Sequence, residues 1–452
     1  MPEALAPPAV HLPASAGEAL LQCVGEVFDR RLARPSPAPL AVGFSGGGDS
    51  LALLLATRAW AQAAGRPVLV LTVDHRINPD GVAWTRRAGS LCTELGVGFR
   101  ALAWDGPKPQ TGVQAAARRA RHALMAVAAR EAGAAVLLLG HTLDDLIEAA
   151  WMRGQGSSVG APREWAPSPV WPEGRGVLLL RPLLAMRRAG LRRLLSASGL
   201  GWFEDPANAD PRFLRSQARQ ELQASEILPG AAPGFGAAPG AEADAAGVVR
   251  IRRDSLCAAG PESGRRLLAM ACVAAGGGER LPRTAPLERL RQRLCAGEGF
   301  AATLAGAQLE ASGEIVITRD IGQARRLGVG PIPLLQGKPA VWDGRFEVMS
   351  RRPGSEARPL AGLMSRLDAA SRAALAGLPI RARGALPAVV LADGTVTCPI
   401  LAQGPWVFAR SLVGGRLEAA CGGIAREPAP AATHMAEWRS APYLRPKSPQ
   451  AV

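Results

Sequence analysis

The feature that most constrains this chain is the stretch Leu40-Ala41-Val42-Gly43-Phe44-Ser45-Gly46-Gly47-Gly48-Asp49-Ser50. Its first five residues are mostly apolar and predict a buried strand. Three consecutive glycines follow, with Ser45 before them and Asp49-Ser50 after. Leu51, Leu54 and Leu55 then open an apolar stripe at helical spacing. Strand, glycine turn and helix aim several backbone N–H groups at one spot, where the helix N-terminus adds partial positive charge. A phosphate suits that spot. Glycine is required because a Cβ would obstruct both a positive-φ turn and the close approach of an anion. The loop is not of the Walker kind, since no Gly-Lys-Ser/Thr follows it. Its spacing also fails the dinucleotide pattern G-x-G-x-x-G.

At 452 residues the chain can form two or three domains with sizeable cores. It has no run of about 18 uninterrupted apolar residues, so no membrane association is expected. It also lacks the basic start and apolar core of a secretory signal. The cysteines Cys23, Cys92, Cys257, Cys272, Cys295, Cys398 and Cys421 form no C-x-x-C pair, which argues against a zinc ribbon or an iron–sulfur cluster. They read as reduced core residues, so the expected location is cytoplasmic. The net charge of +15 suits a polyanionic partner such as RNA.

Short apolar runs at residues 68–73, 99–104 and 135–139 predict three more strands, alternating with helical patterns at 82–95 and 113–130. This is the pattern of a parallel sheet covered on both faces, an α/β fold. In such sheets ligands sit at the carboxyl ends of strands. Three of those ends carry polar groups: Ser45 to Ser50, Asp74-His75, and Gly140-His141-Thr142-Leu143-Asp144-Asp145. In the last, Asp144 and Asp145 open a helix, where the dipole favours acids. Glu148 stands one turn on, and like charges at that spacing repel. A cation would relieve them, either magnesium carried by ATP or a substrate ammonium.

Ser-Gly-Gly-x-Asp-Ser after a hydrophobic strand resembles the pyrophosphate loop of the N-type ATP pyrophosphatases, the PP-loop superfamily. Gly-His-Thr-x-Asp-Asp-x-x-Glu at 140–148 and Val73-Asp74-His75 narrow the resemblance to the tRNA(Ile)-lysidine synthase family. So do Arg181-Pro182-Leu183-Leu184, Trp202-Phe203-Glu204-Asp205-Pro206-Ala207-Asn208 and Arg215-Ser216-Gln217-Ala218-Arg219. The likeness covers roughly residues 38 to 222. Arg76-Ile77-Asn78 stands where that family usually has Gly-Leu-Arg. Arg118-Arg119-Ala120-Arg121-His122 replaces Arg-Glu-x-Arg-Tyr, and Ser216 replaces Asn. The cysteine spacing argues against a tRNA thiolase of the same superfamily. The intact loop and acids argue against a non-catalytic RNA-binding protein.

The resemblance implies a Rossmann-like catalytic domain (1–223) that uses ATP, Mg2+, free L-lysine and the isoleucine tRNA with a CAU anticodon. The oxygen on carbon 2 of the wobble cytidine would be adenylated, and the lysine ε-amine would then displace AMP. Ser45, Gly46, Gly47, Gly48, Asp49 and Ser50 would bind ATP, with Asp49 at the magnesium. Asp145 and Glu148 would orient or deprotonate the amine. Asp74, His75, His141, Asp144, Arg215 and Arg219 would bind substrate, the two arginines through phosphate.

Residues 154–176 form a Gly/Pro/Ser/Trp loop in which Arg163, Trp165 and Trp171 either meet RNA or pack on the domain. Residues 224–247, rich in Ala, Gly and Pro, read as a linker. Residues 248–426 read as a smaller α+β region with hairpin signals at Asp343-Gly344 and Asp393-Gly394 and a role in gripping tRNA. From Glu427 the chain is Pro-rich and reads as a flexible tail.

Overall fold

The computed structural model of the chain describes residues 14–157, 159–203, 214–222 and 240–429. These fall into two compact units, one of residues up to 222 together with 424–429, the other of residues 240–423.

The first unit begins with α1 (Ala14–Arg31), β1 (Leu40–Gly43), α2 (Gly48–Ala63) and β2 (Val68–Asp74). It continues through α3 (Gly81–Glu94), β3 (Gly98–Ala103), α4 (Val113–Glu131), β4 (Val136–Leu139) and α5 (Leu143–Gly154). It is completed by β5 (Trp165–Pro167), β6 (Leu178–Leu180), α6 (Arg188–Ala197) and α7 (Leu214–Glu221). The sheet order is β3-β2-β1-β4-β6-β5, parallel except for β5. Leu40, Ala41 and Val42 of β1 and Val136 to Leu138 of β4 are fully buried, which is why these strands read as continuous apolar runs. α2 is buried around most of its circumference, between the sheet and the helices α1 and α6. Strand order reverses between β1 and β4, so the crevice expected of a doubly wound sheet opens where β1 runs into the glycine loop and β4 into Gly140.

The loop read as 154–176 contains β5, which pairs with β6. The indole of Trp165 is half buried and its Nε1–H donates to Ile424 O at 2.6 Å, so packing on the domain is the role the structure gives it. Ile424 belongs to a strap that returns to this unit from the end of the other. Glu427, where the sequence suggested a free tail, accepts from Arg66 at 2.6 and 2.9 Å, with both side chains almost fully buried. Arg426 donates to the carbonyls of Asp29 and Leu32. Residues 430–452 lie outside the described residues, as do residue 223 and the part of the linker stretch from 224 to 239.

The second unit is α+β. Its five-stranded sheet runs in the order Ala241–Ala243, Val249–Ile251, Ile315–Arg319, Ala307–Ala311 and Phe300–Leu304. Helices Gly260–Gly276 and Thr284–Cys295 cover it. The stretch read as linker thus ends in a strand, turned back by Gly247 at φ 75°. Asp343 (φ 51°) and Gly344 (φ 62°) make the expected hairpin, with Trp342 opposite Phe346. The expectation of seven reduced cysteines is corrected: Cys257 and Cys295 are joined, their Cα atoms 5.6 Å apart. They lie on separate helices that pack on the same neighbour, and no local spacing announces that meeting.

Candidate active site

The glycine loop is cross-braced from within. The Ser50 hydroxyl donates to Gly47 O at 2.8 Å and lies 3.2 Å from the Ser45 hydroxyl. Gly46 has φ 82°, and a Cβ there would lie 2.3 Å from the Phe203 ring, whose backbone N–H donates to Gly46 O at 2.9 Å. Trp202-Phe203 therefore closes over one side of the loop, and Trp84 stacks on Phe203 with centroids 5.7 Å apart. Glu204 to Asn208 lie outside the described residues. Gly47 is the N-cap of α2 and offers no side chain, which leaves the helix N-terminus open to an anion. Gly140 serves the neighbouring strand end: a Cβ there would sit 3.1 Å from Asp49 backbone atoms. Glycine lets β4 end against the start of α2 without pressing on that backbone.

Beyond Gly140, Thr142 caps α5 in a reciprocal box with Asp145, whose Oδ2 accepts the Thr142 N–H at 2.9 Å. This aims Asp145 and Glu148 inward, and both are buried. The sequence asked for a cation to relieve these acids, and three guanidiniums do so. Arg188 donates to Asp49 Oδ2 at 2.9 Å and Glu148 Oε1 at 2.9 Å, and lies 3.5 Å from Asp145 Oδ2. Arg215 donates to Asp145 Oδ1 at 2.5 Å and Glu148 Oε2 at 2.8 Å, and Arg219 to Glu148 Oε1 at 2.9 Å. Arg215 and Arg219, expected on phosphate, here hold acids. Asp144 stands apart from the other two and accepts the Arg188 backbone N–H at 2.7 Å.

Burial pushes the Asp49 carboxyl above the usual aspartate value, Arg188 pulls it back, and Oδ1 is buried without a hydrogen-bond partner. Next to the acids lies an excess of positive groups. Burial and mutual repulsion lower Arg121 and Arg181 to about 10, and Arg118 is lowered as well. His141 accepts from Arg181 Nε through Nδ1 at 3.2 Å, which leaves its proton on Nε2. Burial first, and then Arg181, drives its pKa far down, so it is neutral. His122 is lowered to about 2 by burial and the surrounding arginines, and neither ring nitrogen has a partner. His75 is lowered by burial and by Arg121, and meets Trp104 edge-on. Asp74 braces its own turn: Oδ1 accepts the N–H of Arg76 at 2.8 Å, and Arg76 sits at φ 51°.

The structure thus brings together Asp49 of the loop Ser45 to Ser50, Asp145, Glu148, Arg215 and Arg219, while His141 bonds Arg181. Asp74 does not enter that network. Arg188 was missed from sequence, although a signal exists. Arg187-Arg188 opens α6, where the dipole disfavours cations, so an arginine there needs acids from elsewhere.

Residues 23–226 match the model of the PP-loop domain family described as ATP_bind_3. A relative from Caulobacter vibrioides named tRNA(Ile)-lysidine synthase is 45% identical over 90% of this chain and 99% of its own length. Relatives of the same name from Hyphomonas neptunium and Rhizobium meliloti are 37% and 35% identical. The first of these matches covers 64% of this chain and 82% of the relative, the second 70% and 74%.

Proposed function

The chain belongs to the tRNA(Ile)-lysidine synthase family of ATP-using PP-loop ligases, and from that premise we propose that it joins L-lysine to carbon 2 of the wobble cytidine in a CAU-anticodon isoleucine tRNA. The observation that carries this reading is the Arg188 guanidinium, which bridges Asp49 of the phosphate loop and Glu148 of the acid pair. Nucleotide chemistry and amine binding then share one site.

In this reading the loop backbone from Ser45 to Ser50 and the open N-terminus of α2 hold the diphosphate portion of ATP as negative charge grows on it. The buried, unpartnered Asp49 Oδ1 fits a hard cation. Among the described residues no group of three or more acids, histidines or cysteines is placed to hold a metal by itself. One carboxylate plus substrate phosphates and water is a usual arrangement for magnesium. Bound there, magnesium supplies charge neutralisation to the departing diphosphate. The cationic wall of Arg118, Arg121 and Arg181 favours the polyanionic RNA segment that carries the cytidine. Adenylation turns a poor leaving oxygen into AMP. Asp145 and Glu148 attract and orient the ε-amine. Orientation is the better fit than deprotonation, because every oxygen of this pair already accepts from a guanidinium or from Thr142.

Residues 1–223 form the catalytic domain in this reading, and residues 248–426 grip the tRNA outside the anticodon. Among the described residues no helix is long and apolar enough to cross a membrane, and we place the reaction in the cytoplasm. The test is incorporation of radiolabelled lysine into a CAU-anticodon transcript with ATP. Incorporation should vanish when the wobble cytidine is replaced by uridine. AMP release that needs tRNA but not lysine would refute the proposal.

A further inference from the structure

Three carboxylates, Asp49, Asp145 and Glu148, face three guanidiniums, Arg188, Arg215 and Arg219. An incoming ammonium therefore meets acids whose charge is already matched. It cannot simply add to the cluster, because a fourth cation would be left uncompensated in a largely buried site.

The three arginines are not equivalent. Arg215 and Arg219 sit on α7, where Arg215 bonds Asp145 and Glu148 and Arg219 bonds Glu148. Arg188 sits on α6 and also reaches Asp49, in the first turn of the phosphate-loop helix. Its backbone is fixed by Asp144, while its guanidinium spans the gap between nucleotide loop and acid pair. A triphosphate on the loop would present Arg188 with acceptors of higher charge and matching fork geometry. Turning toward them would strip a donor from Glu148 Oε1 and a neighbouring charge from Asp145 Oδ2. A vacancy shaped for one cation would follow.

We propose that Arg188 is an internal stand-in for the substrate ammonium, released by the nucleotide, so that lysine binds well only after ATP. The inference rests on the reading of lysine as the nucleophile and adds to it an order of binding and a positioning residue. By linkage the coupling is reciprocal: lysine must tighten nucleotide binding by the same factor.

The experiment is calorimetric titration of the full chain with L-lysine, alone and with saturating α,β-methylene-ATP. In the wild type the analogue should tighten lysine binding by about 10-fold or more, within the usual range of site coupling. Titrating the analogue with and without lysine should return the same factor, a check that needs no mutation. In Arg188→Gln, which keeps a polar side chain but no charge, the factor should fall below about 2-fold, because the place of the Arg188 charge beside Glu148 is already vacant in the apo state. Arg188→Lys, which restores a cation, should recover part of it. Equal lysine affinity with and without analogue in the wild type would overturn the proposal. Full coupling surviving in Arg188→Gln would overturn it too. Radiolabelled-lysine transfer to tRNA by the wild type separates the two levels. Transfer without coupling defeats this inference alone, whereas absence of transfer defeats the functional reading along with it.

Discussion

Glu427→Ala should weaken the catalytic unit far more than a change near the chain end normally would. Arg66 donates to Glu427 through both terminal nitrogens and, among the described residues, otherwise reaches the carbonyls of Ala38 and Ala33. The Arg66 side chain is 0% exposed and that of Glu427 2% exposed. Removing the carboxylate leaves a buried guanidinium with no counter-charge, a situation that costs about 3–5 kcal/mol. Ala38 lies two residues before the strand that feeds the phosphate loop, so the loss falls on the core around that loop. The assay is native-state hydrogen exchange on peptides from β1 and α2. If these amides exchange through unfolding of the unit, their rates should rise by roughly two to three and a half orders of magnitude. A paired change of Arg66 and Glu427 to methionine should recover most of the loss, since a well-packed apolar pair often matches a buried ion pair. A rise below about 10-fold in Glu427→Ala would refute the reasoning.

Asp49→Asn should leave circular dichroism unchanged and cut tRNA-dependent AMP release by roughly 100-fold or more, the scale of losing one preorganised electrostatic contact. Because burial raises the Asp49 carboxyl, protonation should shut the wild type down at a pH above the ordinary aspartate value of 3.8, and an acid limb at or below 3.8 would count against this. His122 is neutral in the fold down to about pH 2 but charges near 6.5 when unfolded, so its contribution is full above 6.5 and is lost as pH falls below that value. Urea denaturation should show about 1.4 kcal/mol lost per pH unit there from this residue, and His122→Phe should remove that component. In the second unit Arg352 lies 4.5 Å over the ring of Trp406, which is 47% exposed, and Arg351 lies 5.5 Å over Phe408. If this face meets tRNA, changing Arg351 and Arg352 to Ala should lower the slope of binding against salt by about 1 to 2, and an unchanged slope would exclude it.

Much of the site was legible because its chemistry is local in sequence. The glycine loop, the Gly140 to Glu148 run and the strands that deliver them are contiguous patterns, and apolar continuity marked β1, β2 and β4 as buried. What escaped was what distance in the chain hides. Arg188 meets Glu148 across 40 residues and Asp49 across 139. The joined Cys257 and Cys295 are 38 residues apart on different helices. The strap at Ile424 to Glu427 was masked by a Pro-rich neighbourhood, and only the depth of Arg66 in the fold shows why an acid belongs there. Asp74, read as substrate-binding from its place at a strand end, also braces a turn that sequence does not announce: its Oδ1 accepts the N–H of Arg76, which sits at positive φ.

If the phosphate loop and the acid pair serve one reaction, with lysine as nucleophile and wobble cytidine as target, both must leave their mark on the same product. The most direct test is mass analysis of nucleosides from a CAU-anticodon isoleucine tRNA after incubation with the protein, ATP and isotopically labelled L-lysine. A modified cytidine at the wobble position carrying the lysine label is expected, with AMP and diphosphate released in step with it. An unmodified wobble cytidine despite ATP cleavage, or a modification there without the label, would contradict it.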